Sequence, residues 1–240
     1  MGGQFANIVA ADAEYQKWVK EYKNIYVETT GMLEKLVSLG ITNVTLFPNC
    51  RKRPDSEVAI TKRDKPSCVF FSLIQPEKGA DLILEAAEKL PDTQFHFYGN
   101  IDKSYREVFL KHVNMMDNVV YHGVFRGSSD EVYRELNKYD ILLFPTKWTV
   151  EGVPGILVEA KIAGLALIVS NMSYNAEFVE DGKDGYILPE NTPEALKEKI
   201  EVLYENPVLV IRMRQESGAS AERFFFDHYI PDVIGNLDEQ

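Results

Sequence analysis

Two carboxylates separated by seven residues, Glu151 and Glu159 in EGVPGILVEA, mark the stretch of this chain best equipped for chemistry. Pro154 suits the first position of a helix, where its missing N–H leaves no bond unmade. The run therefore predicts a helix over 154–164, with Glu159 about one and a half turns in and Glu151 and Gly152 in the loop before it. The N–H groups of Gly155, Ile156 and Leu157 then point out of the helix end, where unpaired donors and the helix dipole seat a phosphate. A carboxylate on either side of that seat accepts hydrogen bonds from hydroxyls, and two of them suit a sugar at one end and a ribose at the other. That describes a nucleotide-sugar site; the alternative is an exposed amphipathic helix carrying surface glutamates. Lys78 and Gly79 in the PEKG turn (76–79) follow an apolar run and open a helix, so the lysine can reach a phosphate held at that helix end. An ordinary surface lysine is the other reading. In SNMSYNAEFVEDG (170–182), Asn175 can cap a short helix with Glu177 in its first turn.

These residues have to be positioned by βα units. Short apolar runs alternate with helical patterns from residue 24 to about 205, which predicts a parallel sheet flanked by helices. Strands are expected at 24–28, 43–47, 68–74, 94–99, 118–123, 140–145 and 165–170. Helices are expected at 29–39, 80–90, 103–114, 129–138, 154–164 and 192–205, the last opened by Thr192-Pro193-Glu194, with further helical segments towards the C-terminus. Gly99 and Gly123 end strands at the edge where open α/β sheets bind nucleotides. Both also serve as plain turn residues, and the backbone near Gly123 and Val124 is a candidate for contact with a base. The polar segment 48–66 reads as a linker.

Bulk properties exclude several classes. The 240 residues are 45% hydrophobic with a net charge of −11, which argues against nucleic acid or a strongly anionic membrane as the main partner. The basic run from Arg51 to Lys65 reads as a solvated linker, with a lipid-phosphate patch as the alternative. Two cysteines, Cys50 and Cys68, do not make a disulfide framework. No signal-peptide pattern opens the chain, and Glu159 and Lys161 interrupt its longest apolar stretch, so a cytoplasmic location is expected, with a peripheral position at the inner membrane face as a variant. His96, His112, His122 and His228 lack ligand spacing, so no metal site is expected; His96 and His122 read as packed strand residues. Neither a GxxxxGK[ST] loop nor a GxGxxG fingerprint is present, which disfavours an epimerase or another dinucleotide-binding enzyme.

The segments FFSLIQPEKGADLILEAAEKL and FPTKWTVEGVPGILVEAKIAGLALIVSNMSYNAEFVEDGKDGYILPENTPEAL resemble the retaining glycosyltransferases of the Glu-x7-Glu family (glycosyl transferases group 1), of capsule or surface-polysaccharide type. The resemblance implies a GT-B fold, of which residues 49–225 correspond to the Rossmann-like, donor-binding domain. Residues 1–48 resemble the last part of the acceptor-binding domain, and 226–240 form a helical tail; most of the acceptor domain is expected to be missing. It further implies sugar transfer from a nucleoside-diphosphate sugar to a saccharide or lipid-linked acceptor, without metal or other cofactor. Glu151 would meet the donor sugar, Glu159 the ribose and Lys78 the diphosphate. Gly152, Pro154, Gly155 and Ile156 would shape the seat, with Asn175 and Glu177 near the donor. One position departs from the pattern: where the family carries an arginine five residues before that lysine, this chain has Leu73. Losing such a two-pronged phosphate contact costs about 1.5–3 kcal/mol. The competing class is a binding module without catalysis, paired with a partner chain or with itself. It would show an exposed apolar patch around residues 1–48 and the C-terminal helices.

Overall fold

The computed structural model describes residues 4–56, 58–149 and 152–238; Glu151 lies outside the described residues. Two units are built in sequence. The first comprises helices α1 (Phe5–Ala11) and α2 (Ala13–Lys20), strand β1 (Ile25–Val27), helix α3 (Thr30–Ser38) and strand β2 (Val44–Leu46). Asp12 accepts from the N–H groups of Glu14 and Tyr15 and so caps α2, while Thr29 accepts from Met32 N and caps α3. These side chains satisfy helix-end donors that would otherwise lack partners. Strands β1 and β2 pair in parallel, Ile25 opposite Val44 and Val27 opposite Leu46. Phe5, Val9, Val27, Met32, Leu36 and Ile41 fill the small core between them and the helices.

The second unit contains β3 (Ser67–Phe71), α4 (Ala80–Glu88), β4 (Gln94–Tyr98), α5 (Arg106–Met115), β5 (Val119–Tyr121), α6 (Ser129–Leu136) and β6 (Ile141–Phe144). It continues with α7 (Gly155–Ile162), β7 (Ala166–Ser170), β8 (Gly185–Leu188), α8 (Pro193–Tyr204), α9 (Pro207–Ser220) and α10 (Ile230–Asp238). Its six strands run parallel in the order β5-β4-β3-β6-β7-β8. Strand period decides the two layers. Cys68, Phe70, Ile141, Leu143, Ala166 and Ile168 face one core with α4 and α8. Val69, Leu142, Phe144, Leu167 and Val169 face the other, with α6 and α7. This is the α/β architecture expected, a parallel sheet with helices on both faces. β8 was not among the expected strands. GYIL opens on a glycine between the turn-type runs DGKD and PEN, which masks the strand, and Gly185 lies so close to β7 that a Cβ there would sit 2.1 Å from Leu167 O.

The segment between the units is less solvated than its composition predicts. Arg51 bonds backbone to backbone on both sides, its N–H to Phe224 O (2.8 Å) and its C=O to Phe226 N (3.2 Å). Arg53 pairs with Glu222 and Asp227 and lies 4.2 Å over the Phe225 ring. Arg63 donates to Asp140 (2.7 Å) and to Asn137 O (2.8 Å). Lys52, Arg53, Lys62 and Lys65 of the basic run stay exposed, as the solvated reading expects, whereas Arg51 and Arg63 are half-buried. No helix among the described residues is long and apolar enough to cross a membrane.

Candidate functional site

The chain runs outward from β3 to β5, then returns to lay β6 on the other side of β3. At such a reversal the loops leaving the two central strands diverge and open a crevice at their carboxyl ends. Both loops here are pinned. Gly79 adopts φ 82° and packs so closely that a Cβ would lie 2.2 Å from Pro145 O. Glu77 O accepts from Lys147 N (2.8 Å) and from the Thr146 hydroxyl (3.2 Å). The turn carrying Lys78 is thereby stitched to the loop that leads into α7. The Lys78 ammonium lies 5.6 Å from the centroid of the Trp148 ring, while Lys147 is held by Asp81 at 2.6 Å.

α7 begins one residue later than expected. Pro154, with ψ at 115°, stands outside the helix as its N-cap, and Gly155 takes the first position. Leu157 N–H is not available either: it donates to Pro154 O (3.1 Å), a tight first turn. The N–H groups of Gly155 and Ile156 have no partner among the described residues. Nor is α7 an exposed amphipathic helix, since Leu157, Val158, Ala160, Lys161 and Ile162 are all buried. Buried Lys161 fixes it from behind, donating to Asp184 (2.6 Å) and Ser220 (2.8 Å). Burial draws the Lys161 pKa down and Asp184 opposes that pull. Glu159, half-buried, accepts from Arg51 Nε at 3.0 Å. Arg51 Nη1 donates to Asn49 Oδ1 (2.6 Å), and Asn49 Nδ2 donates to Val153 O (3.0 Å). Arg51 and Asn49 escaped the sequence reading, because nothing local to a polar linker signals that it folds back across a helix end.

Asn175 and Glu177 sit on a short 3-10 helix, Asn175–Phe178, in the loop after β7. Asn175 opens that helix without capping it; the N-cap is Tyr174. It is 0% exposed, and neither Oδ1 nor Nδ2 has a hydrogen-bond partner among the described residues. A buried amide of this kind costs about 1–3 kcal/mol until something pairs with it. Glu177 reaches outside its own helix and accepts from Thr30 N (2.9 Å) and Gly31 N (3.0 Å) at the start of α3. A cavity of about 380 Å³ opens beside this contact, between Thr30, Glu34 and Pro48 of the first unit and Phe178, Arg223 and Tyr229 of the second. It shares Glu177, but neither Lys78 nor Glu159, with the predicted site.

At the edge of the crevice Gly99 N donates to Gly123 O (2.8 Å). A Cβ on Gly99 would lie 1.8 Å from Ser72 O, so a close strand approach requires this glycine. Val124 is exposed beyond Gly123, and Leu73, 40% exposed, presents an apolar side chain after β3. His96 Nδ1 lies 2.9 Å from His122 Nε2, with the rings stacked. Burial, helped by His122, brings the His96 pKa down to about 4. No group of three or more His, Cys, Asp or Glu among the described residues is arranged to hold a metal.

Residues 52–223 match the family described as Glycosyl transferases group 1. An uncharacterized glycosyltransferase of Methanocaldococcus jannaschii is 25% identical over 183 residues, covering 75% of this chain and 50% of its own. Anabaena HepE, solved with UDP and glucose, superposes on 100% of this chain and 71% of its own, with a TM-score of 0.78 and 13% identity. The pneumococcal O-GlcNAc transferase GtfA, solved with UDP and GlcNAc, covers 95% of this chain and 47% of its own, with a TM-score of 0.75 and 22% identity. At these identities the two structures speak to the fold. The chain spans about half the length of the curated relatives it matches.

Proposed function

Because the chain belongs to the glycosyl transferases group 1 family, we propose that it is the donor-binding part of a retaining GT-B enzyme of the Glu-x7-Glu type. Sugar passes from a nucleoside-diphosphate donor to a saccharide or lipid-linked acceptor of a surface polysaccharide or glycolipid. Residues 49–225 bind the donor, and 1–48 contribute the end of an acceptor-binding domain. The observation that carries this reading is the stitched crevice between β3 and β6, which sets the Lys78 turn against the loop entering α7. In this proposal Lys78 and the N–H groups of Gly155 and Ile156 hold the diphosphate, and Glu159 takes the ribose. Glu151 and Asn175 meet the transferred sugar, with Glu177 nearby, Gly152 and Pro154 shape the loop, and the backbone at Val124 meets the base. The departing diphosphate draws the proton from the incoming hydroxyl on the same face, so no protein nucleophile is needed. Lys78 and the helix end stabilise the leaving charge in place of a metal. The location proposed is cytoplasmic.

Thermal-shift titration with UDP, GDP, ADP and their sugar conjugates tests the reading. A ligand at one hundred times its Kd stabilises by about 2.7 kcal/mol, or roughly 5–11 °C for a chain of this size. Lys78→Ala and Glu159→Ala should each weaken the responding nucleotide by about tenfold or more, the loss expected for one charged hydrogen bond. Titration curves unchanged in both variants would sink the assignment.

A second reading, a partner-binding module, is favoured by one surface. Trp18 and Tyr22 are 65% and 62% exposed, beside an apolar cavity of about 310 Å³ lined by Phe5, Tyr15 and Ile25. A strictly monomeric chain that transfers or hydrolyses sugar unaided would overturn it.

A further inference from the structure

Arg51 has no role in the assignment above, yet no other cation touches Glu159 among the ion pairs of the described residues. Its main chain is held on both sides by Phe224 and Phe226, so only its side chain is free to rearrange. The guanidinium lies over the first turn of α7, with Nη2 in the space where a Cβ on residue 155 would come within 2.1 Å. Gly155 thus makes room for it. A cation there stands at the helix end whose dipole opposes cations and favours anions. Glu159, at 3.0 Å, is what compensates it. Arg51 and the helix end therefore present positive potential to the same point, and among the described residues one carboxylate, Glu159, pairs with that cation.

The cations around the crevice are otherwise few. Lys147 is committed to Asp81, and the side chain exposed after β3 is Leu73. A diphosphate carries more charge than Lys78 alone offsets. A guanidinium, with its planar fork of donors, pairs with two phosphate oxygens at once.

We propose that Arg51 is a second donor-binding cation: it exchanges Glu159 for oxygens of the diphosphate as the ribose hydroxyls take over the Glu159 carboxylate. The inference rests on the donor-site reading above. It makes Glu159 and Arg51 partners in the empty site and separate contacts, to ribose and to phosphate, in the filled one. The segment joining the two units then takes part in donor recognition.

The test compares a nucleoside diphosphate with its own nucleoside. Whichever of UDP, GDP and ADP binds the wild-type chain is titrated calorimetrically, and the matching nucleoside by NMR, against wild type, Arg51→Gln and Arg51→Lys. Arg51→Gln should lose about tenfold or more in diphosphate affinity, as expected for a charged hydrogen bond to phosphate, and less than twofold for the nucleoside. Arg51→Lys should fall between, since an ammonium keeps the charge and loses the fork. Equal losses for nucleoside and diphosphate, or no loss for either, would overturn the proposal while leaving the donor site standing. A wild-type chain that binds none of the three diphosphates would overturn both. Should Arg51→Gln fail to fold, Arg51→Lys carries the same comparison, and an unchanged diphosphate-to-nucleoside ratio refutes the role.

Discussion

Asp140→Asn removes one charge and almost no volume, so its effect reads the electrostatics of a single buried junction. Asp140 Oδ1 accepts from Arg63 Nη1 and from Arg214 Nη1, each at 2.7 Å, and Oδ2 accepts from Ser67 N at 3.0 Å. The Arg214 side chain is 0% exposed and that of Asp140 2%. Burial depresses the Arg214 pKa, and Asp140 works against that. An asparagine keeps one acceptor but turns its NH₂ towards groups that are themselves donors. The Arg214 cation is then left buried without a counter-charge, a situation that costs about 3–5 kcal/mol. Because Arg214 retains Gly164 O (2.7 Å) and Thr61 O (3.0 Å), the lower end applies, about 3 kcal/mol. That lowers Tm by roughly 6–12 °C. Urea denaturation followed by circular dichroism measures it. Adding Arg214→Met removes the orphaned charge, so the double variant should be more stable than Asp140→Asn alone. A loss below about 1 kcal/mol for the single variant, or a double variant no better than the single, would refute the reasoning.

Glu177→Gln weakens the two bonds that hold the start of α3. Hydrogen exchange at Thr30 and Gly31 should quicken by about tenfold, equivalent to roughly 1.4 kcal/mol and in the range for charged hydrogen bonds; protection equal to wild type would show that the contact holds nothing. His96 sets a pH dependence. Its folded pKa is lowered from 6.5 to about 4, so as pH falls below 6.5 the unfolded chain takes up a proton that the folded chain declines. This contribution to stability is complete above pH 6.5 and is lost as pH falls towards 4. Melting temperatures across that window should flatten in His96→Phe, and an unchanged acid slope would count against the burial argument.

How much of this was legible depended on the range of the interactions. The central strands could be read because a strand covered on both faces is continuously apolar, as ILLF in β6 is. α8 could be read because Thr192 caps it through Ala195 N, with Pro193 at the first turn. The turn at 76–79 and a helix starting near 155 were also legible as local structure, from the PEKG run and from a proline ahead of a helical pattern. Where the sequence offered a local partner and the fold supplied a distant one, the reading stopped. Glu177 suited the first turn of its own helix but accepts from residues 30 and 31. The arginines of the linker suggested hydration, yet their partners lie at 140, 159, 222 and 227. Pro154 illustrates a smaller error of one position: its extended backbone, ψ 115°, places it just outside the helix rather than at its first position.

The pinned segment also governs how the two units can turn on one another. Arg51, Arg53 and Arg63 fasten it to the second unit from residue 51 onward, and Asn49 is already bonded to Val153 O. Phe47 N is bonded to Val27 O (2.8 Å), so a swing of the β1–β2 unit would have to turn at Pro48, part the Phe47 ring from Tyr229, now 5.7 Å away edge-on, and release Glu177 from α3. A long tether would lose about 1–2 kcal/mol of backbone freedom for every residue it ordered on closing. A joint this short has little backbone freedom to lose when the same surfaces meet.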